Sequence, residues 1–137
     1  MDDRLLLILI VAVILNMSQF LYSGMNKISK FEKKVSTLEK KTNYNFPTWL
    51  CEMGMVGVII LEIIGSLILI YTVCCLNNKS NKKLLKNLSI FVIILFVLFI
   101  IVATIIYHPP GEDKMIPFMS NVSTIGGFGF LLYIFLQ

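Results

Sequence analysis

Four stretches of this chain, residues 5–23, 49–76, 88–107 and 117–137, are nearly free of charge. Each is long enough to cross a hydrocarbon core of about 30 Å as a helix. Lipid offers no hydrogen-bond partners to a peptide backbone, so such runs must satisfy their own N–H and C=O groups, and a helix does that within one segment. The composition agrees: 57% of residues are hydrophobic and 15% charged, where a soluble domain carries about a quarter charged. The expected fold is all-α, a polytopic membrane protein whose 137 residues form one four-transmembrane-helix bundle. The first run exceeds the h-region of a secretory signal and lacks a small-residue cleavage site, so it is kept as a span. An even number of spans puts both termini on one side.

A net charge of +4 in a soluble protein would suggest nucleic acid, but here the lysines occupy connectors flanking apolar spans and read as contacts to the lipid bilayer. The first connector carries Lys27, Lys30, Lys33, Lys34, Lys40 and Lys41 beside Glu32 and Glu39. Its apolar residues Met25, Ile28, Phe31, Val35 and Leu38 recur at steps of three and four. That spacing predicts an amphipathic interfacial helix between spans 1 and 2, its seam toward lipid or the bundle and its lysines in water. The second connector holds Lys79, Lys82, Lys83 and Lys86. The two connectors lie on opposite faces and nearly cancel in a positive-inside count; the tighter cluster, with Arg4, places the termini in the cytosol. Cys51 falls at the opposite membrane face from Cys74 and Cys75, which excludes a disulfide between them.

Polar residues inside apolar runs point to sites, because a carboxylate at the bilayer centre costs about 3 kcal/mol on insertion scales. Glu62 is such a residue, and it must face the bundle interior, protonated or paired; the reading is a functional role, with a structural hydrogen bond as the alternative. Asn16, Gln19 and Ser23 share one face of the first span and are its expected partners in a polar cleft. Lys27, Glu52, His108 and Asn121 all arrive at the membrane face away from the termini, where they are expected to form a polar mouth. His108 precedes Pro109, Pro110 and Gly111, which end the helix, so a capping or headgroup role stands beside a catalytic one. The third span carries no charge and is expected to be the most lipid-exposed. No catalytic motif, metal-ligand cluster or cofactor motif is recognisable, and the glycines lack the strand and basic partner of a nucleotide loop.

Ser23-Gly24-Met25-Asn26-Lys27-Ile28 followed by Phe31, then Leu61-Glu62-Ile63-Ile64-Gly65, then His108, then Asn121 ahead of Gly126-Gly127-Phe128-Gly129 resembles the DoxX family of small four-helix membrane proteins. The order and spacing run along the whole chain; the lysine-rich first connector and Ser66 depart from the family pattern. The resemblance carries over Gly24, Lys27, Glu62, Gly65, Asn121, Gly126 and Gly127, with Gly24, Gly65, Gly126 and Gly127 as helix-packing positions. It implies a small, non-catalytic membrane subunit associated with a quinone- or sulfur-linked redox complex. The alternative is an assembly, trafficking or scaffold factor that binds protein or lipid. A proton or small-solute transporter ranks below both, since no inverted repeat or broken helix pair is visible. Beyond the lipid bilayer, the expected partner is another membrane protein or a further copy of the chain in a homo-oligomer.

Overall fold

The structure is a computed structural model that describes residues 3–76 and 82–136. Lys79 of the second connector lies outside the described residues. Helix α1 spans Asp3–Ser29, α2 Phe31–Lys41, α3 Thr48–Cys74, α4 Lys82–Tyr107 and α5 Met115–Leu136, with a short 3-10 turn at Glu112–Lys114 before α5. Four of these helices, α1, α3, α4 and α5, are long and apolar enough to cross a membrane. Each packs chiefly on its neighbour in sequence, α1 on α3, α3 on α4 and α4 on α5.

The apolar run underestimates the first helix. α1 continues through Gly24, Lys27 and Ser29, because Gly24 keeps ordinary helical backbone and nothing before Lys30 interrupts the hydrogen-bond ladder. Met25 and Ile28 are therefore carried on α1, and both are exposed. The rest of the expected seam does form a helix: Phe31, Val35 and Leu38 of α2 pack on Cys51, Met55 and Ile59 of α3. Their burial holds α2 against the bundle and leaves Glu32, Lys33, Lys40 and Lys41 on the outside. Asn43 and Tyr44 then adopt left-handed backbone (φ 53° and 57°) to turn the chain, and extended Pro47 precedes the first turn of α3.

The core runs along the bundle axis through Val13, Met17, Leu69, Val73, Ile93, Phe96, Phe128 and Phe135. Phe20, Phe96 and Phe128, one each from α1, α4 and α5, form an aromatic layer with ring centroids 4.9 to 5.8 Å apart, a separation at which tilted or offset rings attract. The expectation that the third span is the most lipid-exposed is overturned. α4 is the most buried of the four, with 33% of its most apolar window inside the protein against 17% for α5. Lack of charge is compatible with a lipid-facing or a central helix, and here Val92, Ile93, Phe96 and Ile100 make it central.

Small hydroxyls fasten the neighbouring spans. Ser89 Oγ on α4 donates to Thr72 Oγ1 on α3 at 2.8 Å, and Asn121 Nδ2 on α5 donates to Thr104 Oγ1 on α4 at 2.8 Å. Each threonine spends its own proton on the carbonyl four residues back, Ile68 or Ile100. Interhelical bonds of this kind contribute about 0.6 kcal/mol each in a membrane protein.

Candidate functional site

Glu62 lies on a widened π turn of α3, Leu61–Gly65. Such single turns recur at functional sites because the extra residue breaks the regular ladder. Its side chain is 2% exposed. Lys27, one turn beyond Ser23 on α1, turns inward and spans both carboxylate oxygens, at 2.7 Å to Oε1 and 2.8 Å to Oε2. Lys27 also donates to Ser23 Oγ at 2.5 Å, and Ser23 Oγ donates to Oε1 at 3.2 Å. The ammonium thus has three acceptor atoms for its three protons, and both carboxylate oxygens are used. Gly24 makes this approach possible: a Cβ there would stand 2.8 Å from Ile63 Cγ1 and 3.3 Å from Glu62 Cβ.

The pair forms part of the wall of a cleft of about 250 Å³ between α1, α3, α4 and α5. Gln19, Ser23, Ser120, Asn121 and Thr124 add polar groups, while Phe20, Phe99, Ile100 and Ala103 supply apolar walls. The aromatic layer closes it on one side through Phe20. Beyond that layer, α1 and α5 part again around an apolar groove of about 400 Å³ lined by Leu9, Val13, Asn16, Gly127, Phe130 and Ile134 among others. The site therefore combines hydrogen-bonding groups at one end of the α1/α5 seam with an oily furrow at the other.

Of the residues singled out from sequence, Gln19, Ser23, Lys27, Glu62 and Asn121 line this one cleft. Asn16 does not; it lines the apolar groove, accepts a hydrogen bond from Gln19 Nε2 at 3.3 Å, and its amide nitrogen would lie 3.3 Å from a Cβ added at Gly127. Glu52 is exposed and His108 is half-buried, and neither lines the cleft. His108 caps α4 through its backbone N–H, which donates to Thr104 O at 2.9 Å. Gly65 is close-packed on Phe96 and Val92, whereas Gly126 is exposed with open space around it, so helix packing explains the first and not the second. Ser120 and Thr124 were not singled out, although with Asn121 they continue a polar stripe at steps of three and four. Their signal was the same spacing that marked Asn16, Gln19 and Ser23.

Among the described residues no cluster of three or more His, Cys, Asp or Glu side chains is positioned to hold a metal ion. The cysteines are free thiols, Cys51 buried and Cys74 exposed. The arrangement offers a fixed ion pair beside neutral donors and acceptors that face a small cavity. Comparison with protein-family models, with curated proteins and with solved structures finds no match.

Proposed function

We propose that this chain is a DoxX-like, non-catalytic small membrane subunit that holds the head of a quinone-class molecule for a redox complex. The observation that carries the reading is the Lys27–Ser23–Glu62 network set into the wall of an amphipathic cleft. Ligand sites of this kind are mostly apolar with a few placed polar groups. A quinone ring fits that description: its carbonyls accept from amide or hydroxyl donors such as Gln19 and Ser120, its faces lie on Phe20 and Phe99, and its isoprenoid tail stays in lipid. The partner complex supplies the electrons.

The test is equilibrium binding of a short-tailed ubiquinone to the full chain in lipid nanodiscs. Gln19→Leu and Ser120→Ala each remove one hydrogen-bonding group and are expected to weaken binding about tenfold with the thermal midpoint unchanged. Equal affinity in the wild type and both variants would refute the reading.

A second reading, a scaffold or assembly factor that binds protein or lipid, is favoured by α2, whose buried seam turns Lys33, Lys40 and Lys41 outward. The same basic face suits an interfacial position beside headgroups. We place both termini in the cytosol, on the strength of the lysines that precede and open α4. In a eukaryotic host the Asn78-Lys79-Ser80 sequon should then remain unglycosylated, read as no mobility shift on endoglycosidase treatment; a glycan on Asn78 reverses the orientation.

A further inference from the structure

A third cavity, of about 450 Å³, lies between α2, α3 and α4, with Lys27 of α1 at its edge. α3 and α4 are locked together deeper in the bundle, where Gly65 meets Phe96 and Val92 and where Thr72 meets Ser89. Toward α2 they splay, and the gap is lined by Gly54 and Val58 of α3 and by Phe99 and Val102 of α4. The α4 lining runs from Phe99 to Tyr107, about 12 Å of helix at 1.5 Å per residue. Gly54 is exposed, and a Cβ added there would touch nothing within 4 Å. The groove is therefore a wedge open on one side.

Its rim is charged. Lys27 and Lys34 both line the groove. Lys27 is paired with Glu62, and Lys34, half-buried on α2, makes no direct ion pair among the described residues but shares the field of that same carboxylate. Glu39, on the same helix, is not part of the lining. The rim therefore carries two ammonium groups against one carboxylate, an excess positive charge beside an apolar furrow.

The geometry points to a binding site for one anionic phospholipid, its phosphate on Lys34 and one acyl chain along the α3/α4 furrow. A phosphodiester complements the excess positive charge at Lys34, and a flexible chain fills a wedge that no side chain of this protein occupies. A zwitterionic lipid would fit the furrow equally well but would bring its own ammonium to Lys34. Charge selects between them, while the furrow holds both. The groove adjoins the quinone cleft and shares Lys27, Phe99 and Ala103 with it, but lipid retention needs neither Gln19 nor Ser120, so the two readings fail separately.

Native mass spectrometry of the full chain, released from mixed micelles with equal phosphatidylglycerol and phosphatidylcholine, tests this. The wild type is expected to retain one phosphatidylglycerol with about fivefold preference, the effect of one lysine near an anionic headgroup. Lys34→Gln should bring the two lipids to parity. Gly54→Leu puts a side chain into open space, so it should keep the thermal midpoint and lose both lipids. Lys40→Gln, on the exposed side of α2, should leave the preference intact. Parity in the wild type, retention by Gly54→Leu equal to wild type, or a loss in Lys40→Gln as large as in Lys34→Gln would each overturn the site.

Discussion

Replacing Lys27 by methionine is expected to destabilise the bundle by about 3 kcal/mol, the effect of leaving a buried charge without its partner. Glu62 is 2% exposed, and Lys27 serves both of its oxygens. After the substitution only Ser23 remains, bonded to Oε1 at 3.2 Å, and Oε2 has no donor. Methionine keeps most of the stem volume, so lost packing contributes little. The reciprocal change, Glu62→Met, should cost less. Lys27 is 16% exposed, and its long stem allows the ammonium to swing out to the interface, a route a short carboxylate on a mid-span turn does not have. The double variant Lys27→Met/Glu62→Met should return to within about 1 kcal/mol of the wild type, since an apolar pair of similar volume replaces a buried ion pair at small net cost. Unfolding titrations in mixed dodecyl sulfate and maltoside micelles read all three. If Lys27→Met unfolds with the wild type, the pair contributes nothing; if the double variant is no better than Lys27→Met, the loss comes from packing and not from charge.

The spans were legible because run length and hydropathy report directly on the cost of placing a segment in oil. The centrality of α4 was not, since an uncharged helix has the same transfer energy whether it faces lipid or protein, and only the rings of Phe20 and Phe128 closing on Phe96 decide it. Glu62 announced itself as a carboxylate in the wrong solvent. Its partner did not, because Lys27 stands at the end of an apolar run, where a lysine ordinarily extends toward headgroups. Turning it inward depends on two things that spacing along the chain does not encode: α1 continuing as helix past Gly24, and Gly24 letting α1 and α3 come close enough for the ammonium to reach. The π turn that carries Glu62 and Gly65 likewise leaves no periodic mark in a stretch that is apolar on every side. Asn16 and Gln19, three residues apart on one face, were expected to share a cleft; the Phe20 layer separates the cavities they line.

Valine at Gly24 or Gly65 is expected to destabilise the bundle by about 2 kcal/mol or more, the range for forcing volume into a packed interior, whereas alanine at Gly54 or Gly57 should be neutral or slightly favourable. All four glycines lie in apolar helices and none has positive φ, so backbone freedom does not distinguish them. Space does. At Gly65 a Cβ meets Phe96 Cε2 at 3.0 Å and Val92 Cγ1 at 3.1 Å, both core side chains already in contact with their neighbours. At Gly24 it meets Ile63 Cγ1 at 2.8 Å, and relief requires α1 to move away from the turn that carries Glu62. Gly54 and Gly57 have nothing within 4 Å, and there alanine only removes the conformational cost of glycine in a helix, about 1 kcal/mol at most. The two crowded sites should also differ in kind. Gly65→Val separates α3 from α4 and should leave the Lys27–Glu62 pair intact, while Gly24→Val separates α1 from α3 and should break it. Gly24→Val therefore loses stability twice, through packing and through the exposed pair, and Ile63→Ala should restore much of it by vacating the space the new methyl groups need. Thermal unfolding in maltoside micelles reads the series. A Gly24→Val protein as stable as Gly54→Ala, or one that Ile63→Ala fails to improve, would show that α1 and α3 do not meet at this point.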